Sequence, residues 1–185
     1  MDMLAEKIAK EIHNYNELPF VFFGHCMGAY LSFEVTRILN RNAHTLPVHL
    51  FVSAAKAPFL PVLHPDLHCY SDEEFLLMMK EINLRPDHFY LAPEIIEESL
   101  PIIKADFALV EKWARPGEDV KISVPITAWG GDNDEFVLEE HVRKWSASTT
   151  SGFNYAIFKG GHFYLQEENN HESLIHQISL TINLS

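Results

Sequence analysis

Cysteine is nearly absent: Cys26 and Cys69 are the two in 185 residues. Two thiols cannot build a disulfide scaffold, and their reduced form suits a cytoplasmic setting. Basic residues are scarce as well, 14 Lys and Arg against 26 Asp and Glu, for a formal net charge of −12. Such a surface repels phosphate backbones, which argues against nucleic acid as a partner, and it repels other acidic proteins at long range. No segment reaches the ~20 apolar residues that span a bilayer. The N-terminal stretch "MDMLAEKIAKEIHNY" breaks its apolar positions with charges, unlike a secretion signal. The expectation is a cytoplasmic protein with no membrane partner. What is present is an ordinary globular composition, 47% hydrophobic and 22% charged. The length suits a single domain, 1–185, with a sizeable core.

Strand and helix patterns alternate over most of the chain. Residues 3–13 have helical spacing, and "PFVFFGH" at 19–25 reads as a short strand buried on both faces. Helical spacing returns over 28–41 through Leu31, Val35, Ile38 and Leu39. Further strands are expected at 47–55, 124–131 and 153–161, and helices at 138–147 and 171–183. That order predicts an α/β fold with a mostly parallel sheet of about four strands flanked by helices. The stretch 66–116 departs from it. Ser71 and Glu74 form a capping box ahead of "FLLMMKEI". Pro93 and Pro101 suit the first turns of two more helices, "PEIIEES" and "PIIKADFALVEKWAR". A helical block inserted at the C-terminal edge of a parallel sheet reads as a lid over a site. An ordinary helical layer is the other reading.

The stretch "FGHCMGAY" places Cys26 between Gly24 and Gly28, with His25 and Met27 beside it, straight after the first strand. A G-x-nucleophile-x-G turn between strand and helix presents a reactive side chain clear of the sheet, and a helix start favours the thiolate form of a cysteine. The backbone N–H of Met27 would then face a developing oxyanion. A nucleophile needs a base and an acid that orients it. Asp132 and Asp134 follow the third strand in "WGGDNDEFV", and His162 follows the fourth in "KGGHFYL". All three candidates fall at strand C-termini, the edge where open α/β sheets place ligands. The order nucleophile, acid, histidine is that of the hydrolases built on such sheets. Asp134 is preferred to Asp132, which reads as a turn former. Taken singly, Cys26 is as readily a buried structural residue, and each Asp or His a cap or surface group. His64 and His68 beside Cys69 could suggest a metal, but a fourth ligand is missing and none is expected.

With these motifs in hand, the chain resembles the type II thioesterases, stand-alone α/β-hydrolases that serve polyketide and nonribosomal peptide synthetases. The stretches "PFVFFGHCMGAYLSFEVTRIL", "LFVSAAKAP", "LPIIKADFALVEKW", "PITAWGGDNDEFV" and "FKGGHFYL" carry the resemblance, in the family's order. It implies hydrolysis of acyl thioesters on the phosphopantetheine arm of an acyl or peptidyl carrier protein, with no cofactor beyond the arm that the substrate carries. It implies Cys26 as nucleophile, Asp134 as acid and His162 as base. The helical lid at 66–116 would shape an acyl pocket from Phe75, Met78, Phe107 and Trp113.

The sequence departs from the family in two places. The usual nucleophile is serine, as GHSMG, where Cys26 stands here. The family's first strands and its "PxAGG"-like loop, which supplies a second oxyanion donor, have no match in the chain. The expectation is a partial α/β-hydrolase fold with weak activity, whose first strand forms an exposed sheet edge able to pair with another chain. Lys80, Arg85, Lys104 and Lys112 would have to supply the positive charge for an acidic carrier protein. A general esterase or acyltransferase on the same fold, and a non-catalytic remnant, stay open as alternatives.

Overall fold

The computed structural model describes residues 1–13, 18–61, 66–82, 84–85 and 87–183. Helix α1 (Asp2–His13) leads into strand β1 (Val21–His25), helix α2 (Met27–Arg41) and strand β2 (His49–Ser53). Helices α3 (Asp72–Glu81) and α4 (Pro93–Glu111) follow, then β3 (Ile126–Gly131), α5 (Glu139–Arg143), β4 (Phe153–Phe158) and α6 (Glu168–Asn183). The four strands lie side by side in chain order, every pair parallel. This is the α/β architecture that the alternation predicts.

The two central strands, β2 and β3, are buried on both faces because helices cover both faces, whereas β1, expected to be buried on both faces, is only partly buried because it lies at the sheet edge. Leu50, Val52, Ile126 and Ala128 meet Phe33 of α2 and Trp145 on one side. Phe51 and Trp129, with ring centroids 4.9 Å apart, meet Tyr164 and Leu174 of α6 on the other. Ala5 and Ala9 let α1 approach Val35, Ile38 and Leu39 of α2 closely. The sheet's two edges differ. Arg143 lays its guanidinium 4.6 Å from the ring of Tyr155 on β4. Strand β1 pairs only with β2 among the described residues, and its Phe23 is 44% exposed. No helix among the described residues is long and apolar enough to cross a membrane.

Between β2 and β3 the helical block builds a separate apolar cluster around Phe75, Met79, Leu100 and Ile103. Its first helix starts as the capping box dictates: Ser71 Oγ accepts from Glu74 N at 3.2 Å, and Glu74 Oε2 accepts from Ser71 N at 2.9 Å. One expectation is corrected. "PEIIEES" and "PIIKADFALVEKWAR" form one continuous helix, α4, with Pro101 inside it, and that helix ends at Glu111. Pro93 does hold a first-turn position. An interior proline removes one N–H donor and costs about 3 kcal/mol. Leu100 and Ile103, buried on either side of it, offset that cost by keeping both halves of α4 on one core.

Candidate active site

The turn after β1 is strained where chemistry would need it. Cys26 has φ 53 and ψ −118, a backbone region that costs a non-glycine residue about 1–3 kcal/mol. The turn is held by Cys26 N, which donates to Ser53 O at 2.8 Å, and by the start of α2 at Met27. Gly24 makes it possible. A Cβ there would lie 2.3 Å from Gly28 O, so strand and helix pass in direct backbone contact. Gly28 itself is different from its expected role: a Cβ on it would meet nothing within 4 Å. Cys26 is partly exposed and lines a cavity of about 240 Å³ between the strand ends and the helical block.

His162 and Asp134 come from the turns after β4 and β3. Their backbones meet at Gly131, where a Cβ would stand 2.4 Å from both Gly160 O and Gly161 O. Asp134 Oδ1 accepts from Phe136 N and Val137 N, each at 2.9 Å, and Oδ2 faces His162 Nδ1 at 2.8 Å. The imidazole therefore carries its Nδ1 proton toward the carboxylate and turns Nε2 toward the cavity. That Nε2 is buried and makes no hydrogen bond of ordinary geometry. Burial alone would lower the ring's pKa; the charge of a Cys26 thiolate, the Asp134 hydrogen bond and the interaction with Cys26 outweigh it and raise it to about 10. Asp132 behaves differently. It is tied to Lys159 Nζ at 2.5 Å and accepts from Gly160 N at 3.0 Å, so it closes the turn and does not reach the histidine.

His25 packs edge-on against His162, ring centroids 5.3 Å apart. Burial first, then the charge of His162, lower its pKa to about 3, so it stays neutral. Its Nδ1 lies 2.9 Å from Ser53 Oγ, which lies 2.6 Å from Tyr164 Oη. This network beneath the site was not legible as such, because Ser53 and Tyr164 are 111 positions apart.

The remaining expected site residues separate. Met27 and Phe107 line the cavity; Phe75, Met78 and Trp113 do not. Phe75 is fully buried in the apolar cluster of the helical block and meets Phe107 edge-on, Met78 shares that cluster, and Trp113 packs in the main core beside Tyr30. Apolar residues at helical spacing serve a helix's own core before they serve a pocket. The cavity wall instead holds Lys56, Arg85, Arg115, Phe136 and Phe163, none of which sequence reasoning placed there. Arg85 stacks 4.5 Å over the Phe163 ring, and Lys104 is bound to Asp72 at 2.8 Å, so of the four expected docking cations Lys80 and Lys112 remain exposed. For metal, His64 lies outside the described residues. Asp66, His68 and Cys69 bring three donor atoms within 4.8 Å of one another, and three donors fall short of a closed structural zinc site.

A doubly covered parallel sheet, a strained Gly-x-Cys-x-Gly turn after its first strand and an Asp–His pair at two further strand ends together define the α/β-hydrolase class of site. Residues 1–181 match the thioesterase domain family, to which the chain belongs. It is 34% identical over 167 residues to the gramicidin S biosynthesis protein GrsT of Aneurinibacillus migulanus, covering 90% of this chain and 65% of that protein. It superimposes on the type II thioesterase BorB from the borrelidin biosynthetic cluster with a TM-score of 0.84 at 31% identity, covering 98% of this chain and 72% of that one. The prodiginine-pathway thioesterase RedJ of Streptomyces coelicolor gives a TM-score of 0.84 at 28% identity, with 98% and 71% covered. The chain spans 65% of GrsT and 59% of the thioesterase PikA5 of Streptomyces venezuelae, less than two thirds of each.

Proposed function

We propose that this chain cleaves acyl thioesters borne on the phosphopantetheine arm of an acyl or peptidyl carrier protein, through Cys26, His162 and Asp134. The observation that carries the reading is the His162 ring, fixed through Nδ1 by Asp134 and lining the same cavity as Cys26, with which it interacts. Family membership and likeness to type II thioesterases support the substrate class.

The steps follow from the groups present. Cys26 Sγ attacks the thioester carbonyl as the thiolate, its proton already held by His162 Nε2 in the ion pair that the raised His162 pKa implies. The oxyanion that forms sits at the start of α2, where Met27 N–H is the nearest candidate donor. Collapse expels the pantetheine thiolate, which takes the proton from His162, and the acyl group remains on Cys26. His162 then accepts a proton from water as water attacks the acyl-enzyme, and Cys26 leaves as the thiolate. Asp134 holds the ring and balances its charge throughout. The acyl-enzyme is itself a thioester, so its formation is nearly isoenergetic. No protein cofactor enters these steps, and the pantetheine arm arrives with the substrate.

In this reading 66–116 is a lid on a single domain spanning 1–185, its helices closing the acyl cavity. The partner is a carrier protein in the cytoplasm, met through Lys80 and Lys112. The open edge at β1, with Phe23 exposed, is a route to self-association.

The test is to mix the protein with a carrier protein loaded with a short acyl thioester and follow the carrier's mass. Wild type is expected to return the carrier to its free thiol, while Cys26→Ala and His162→Ala leave it loaded. Equal rates for wild type and Cys26→Ala would overturn the nucleophile, and equal rates on simple oxygen esters would overturn the thioester specificity.

A further inference from the structure

The cavity beside Cys26 is cationic in a chain of net charge −12. Lys56, Arg85 and Arg115 line it, against Asp106 and Glu111. The two acids do not balance the three bases. Glu111 is occupied: Oε1 accepts from Leu67 N at 3.0 Å, and Oε2 is bonded to His68 Nδ1. Asp106 faces Arg85 electrostatically, and burial raises its pKa. Lys56 and Arg115 are left. Among the described residues neither forms an ion pair with a carboxylate.

Both cations are held in place. Lys56 is 6% exposed, with Nζ 5.9 Å from the centre of the Phe136 ring. The Arg115 guanidinium stacks between Tyr30 and Trp113, at 5.1 and 5.5 Å from their ring centres. Its Nη1 donates to Pro58 O at 3.3 Å, while its Nε is buried without a hydrogen-bond partner. A buried guanidinium N–H without an acceptor is costly, the Lys56 ammonium beside it has no carboxylate partner among the described residues, and folded proteins retain such groups where a ligand completes them. Burial, then the charge of Arg115, lower the Lys56 pKa to about 8, with Asp134 opposing, which fits an ammonium awaiting an anion.

Their position identifies the ligand. His25 lies in register with Ser53 on the neighbouring strand, so Lys56 leaves the sheet three residues on, one strand over from Cys26. At about 240 Å³ the cavity is smaller than the roughly 300–1,000 Å³ of sites that hold drug-sized ligands, so it suits a short acyl unit. A pantetheine phosphate lies two amide units beyond the reacting sulfur and stays outside such a space.

We infer that the cavity selects short acyl thioesters ending in a carboxylate, dicarboxylic half-thioesters, whose distal carboxylate bridges Lys56 Nζ and Arg115 Nε. The inference rests on the thioesterase reading of the same cavity.

Equilibrium binding separates the two claims because it needs no turnover. The probes are two pantetheine thioethers of equal chain length, S-(3-carboxypropyl) and S-butyl, each with and without the phosphate. Wild type is expected to bind the carboxypropyl compound about 10–100-fold more tightly than the butyl one, the range of one or two charge-assisted hydrogen bonds. In Lys56→Met and in Arg115→Met the ratio falls toward one, Lys56→Arg restores it in part, and Lys144→Met, a surface charge control, leaves it intact. Thermal unfolding shows whether each variant is folded. A ratio near one in wild type overturns the inference. So does a preference set by the phosphate and not by the carboxylate. Turnover of a butyryl thioester is scored separately: hydrolysis without carboxylate preference sinks this inference alone, while carboxylate preference without hydrolysis of any thioester sinks the catalytic reading.

Discussion

Asp134 Oδ2 and His162 Nδ1 stand 2.8 Å apart, on side chains 0% and 1% exposed. Asp134 is fixed in turn by two backbone N–H groups through its other oxygen. The pair is a rigid unit that sets the tautomer and aim of the imidazole. Asp134→Asn is expected to lower kcat by about 10²–10⁴-fold with little change in KM. Asp132→Asn, which frees only the exposed Lys159, should stay near wild type in a steady-state thioesterase assay.

The charge of Cys26 is felt on His162. With burial opposing, the Cys26 thiolate and Asp134 raise the ring's pKa to about 10. Cys26→Ala removes the largest raising contribution, so the His162 pKa read by NMR titration is expected to fall. The linkage has a definite sign. A histidine raised above its unfolded value of about 6.5 lends stability fully below that pH and loses it as pH climbs toward 10. The margin of wild type over Asp134→Asn, in which a raising partner of His162 is neutralised, should therefore shrink across that window, as measured by denaturant unfolding at stepped pH.

His25 has the opposite sign. Its folded pKa is lowered to about 3, chiefly by burial and then by His162. The unfolded chain binds the extra proton first, so acidification from about pH 6.5 destabilises the fold by up to about 1.4 kcal/mol per pH unit. His25→Asn, measured by denaturant unfolding between pH 5 and 6.5, above the carboxylate range, should flatten that slope.

The two glycines flanking Cys26 should respond oppositely to alanine. Gly24→Ala drives a Cβ to 2.3 Å from Gly28 O and must part β1 from α2. A loss of about 3 kcal/mol is expected, the upper end of overpacking. Gly28→Ala meets open space and sits at the start of a helix, so a gain of about 0.4–1 kcal/mol is expected. Thermal unfolding of the two variants checks the split in sign.

What the sequence showed and hid divides along contact range. The capping box at Ser71 and Glu74 was readable because both partners lie within one turn. So was the parallel sheet, whose two central strands, buried on both faces, are continuous apolar runs, although the same pattern in β1 belongs to an edge strand that leaves Phe23 exposed. Asp134 was separable from Asp132 because its neighbours' N–H groups lie two and three residues on. The break placed at Pro101 followed local propensity, which burial of Leu100 and Ile103 overrides. The Ser53–Tyr164 hydrogen bond and the Lys56–Arg115 neighbourhood depend on chain segments that only the sheet brings together. The pocket roles expected of Phe75, Met78 and Trp113 failed for a related reason. Helical spacing shows that a face is buried, and not what buries it.

The most direct measurement is the intact mass of the protein itself, quenched at short times after mixing with an excess acyl thioester and mapped to peptides. One acyl group on Cys26, decaying as substrate is exhausted and missing from Cys26→Ala, is the predicted result. Turnover with Cys26 never acylated, or an acyl group found on Cys69 instead, would contradict it.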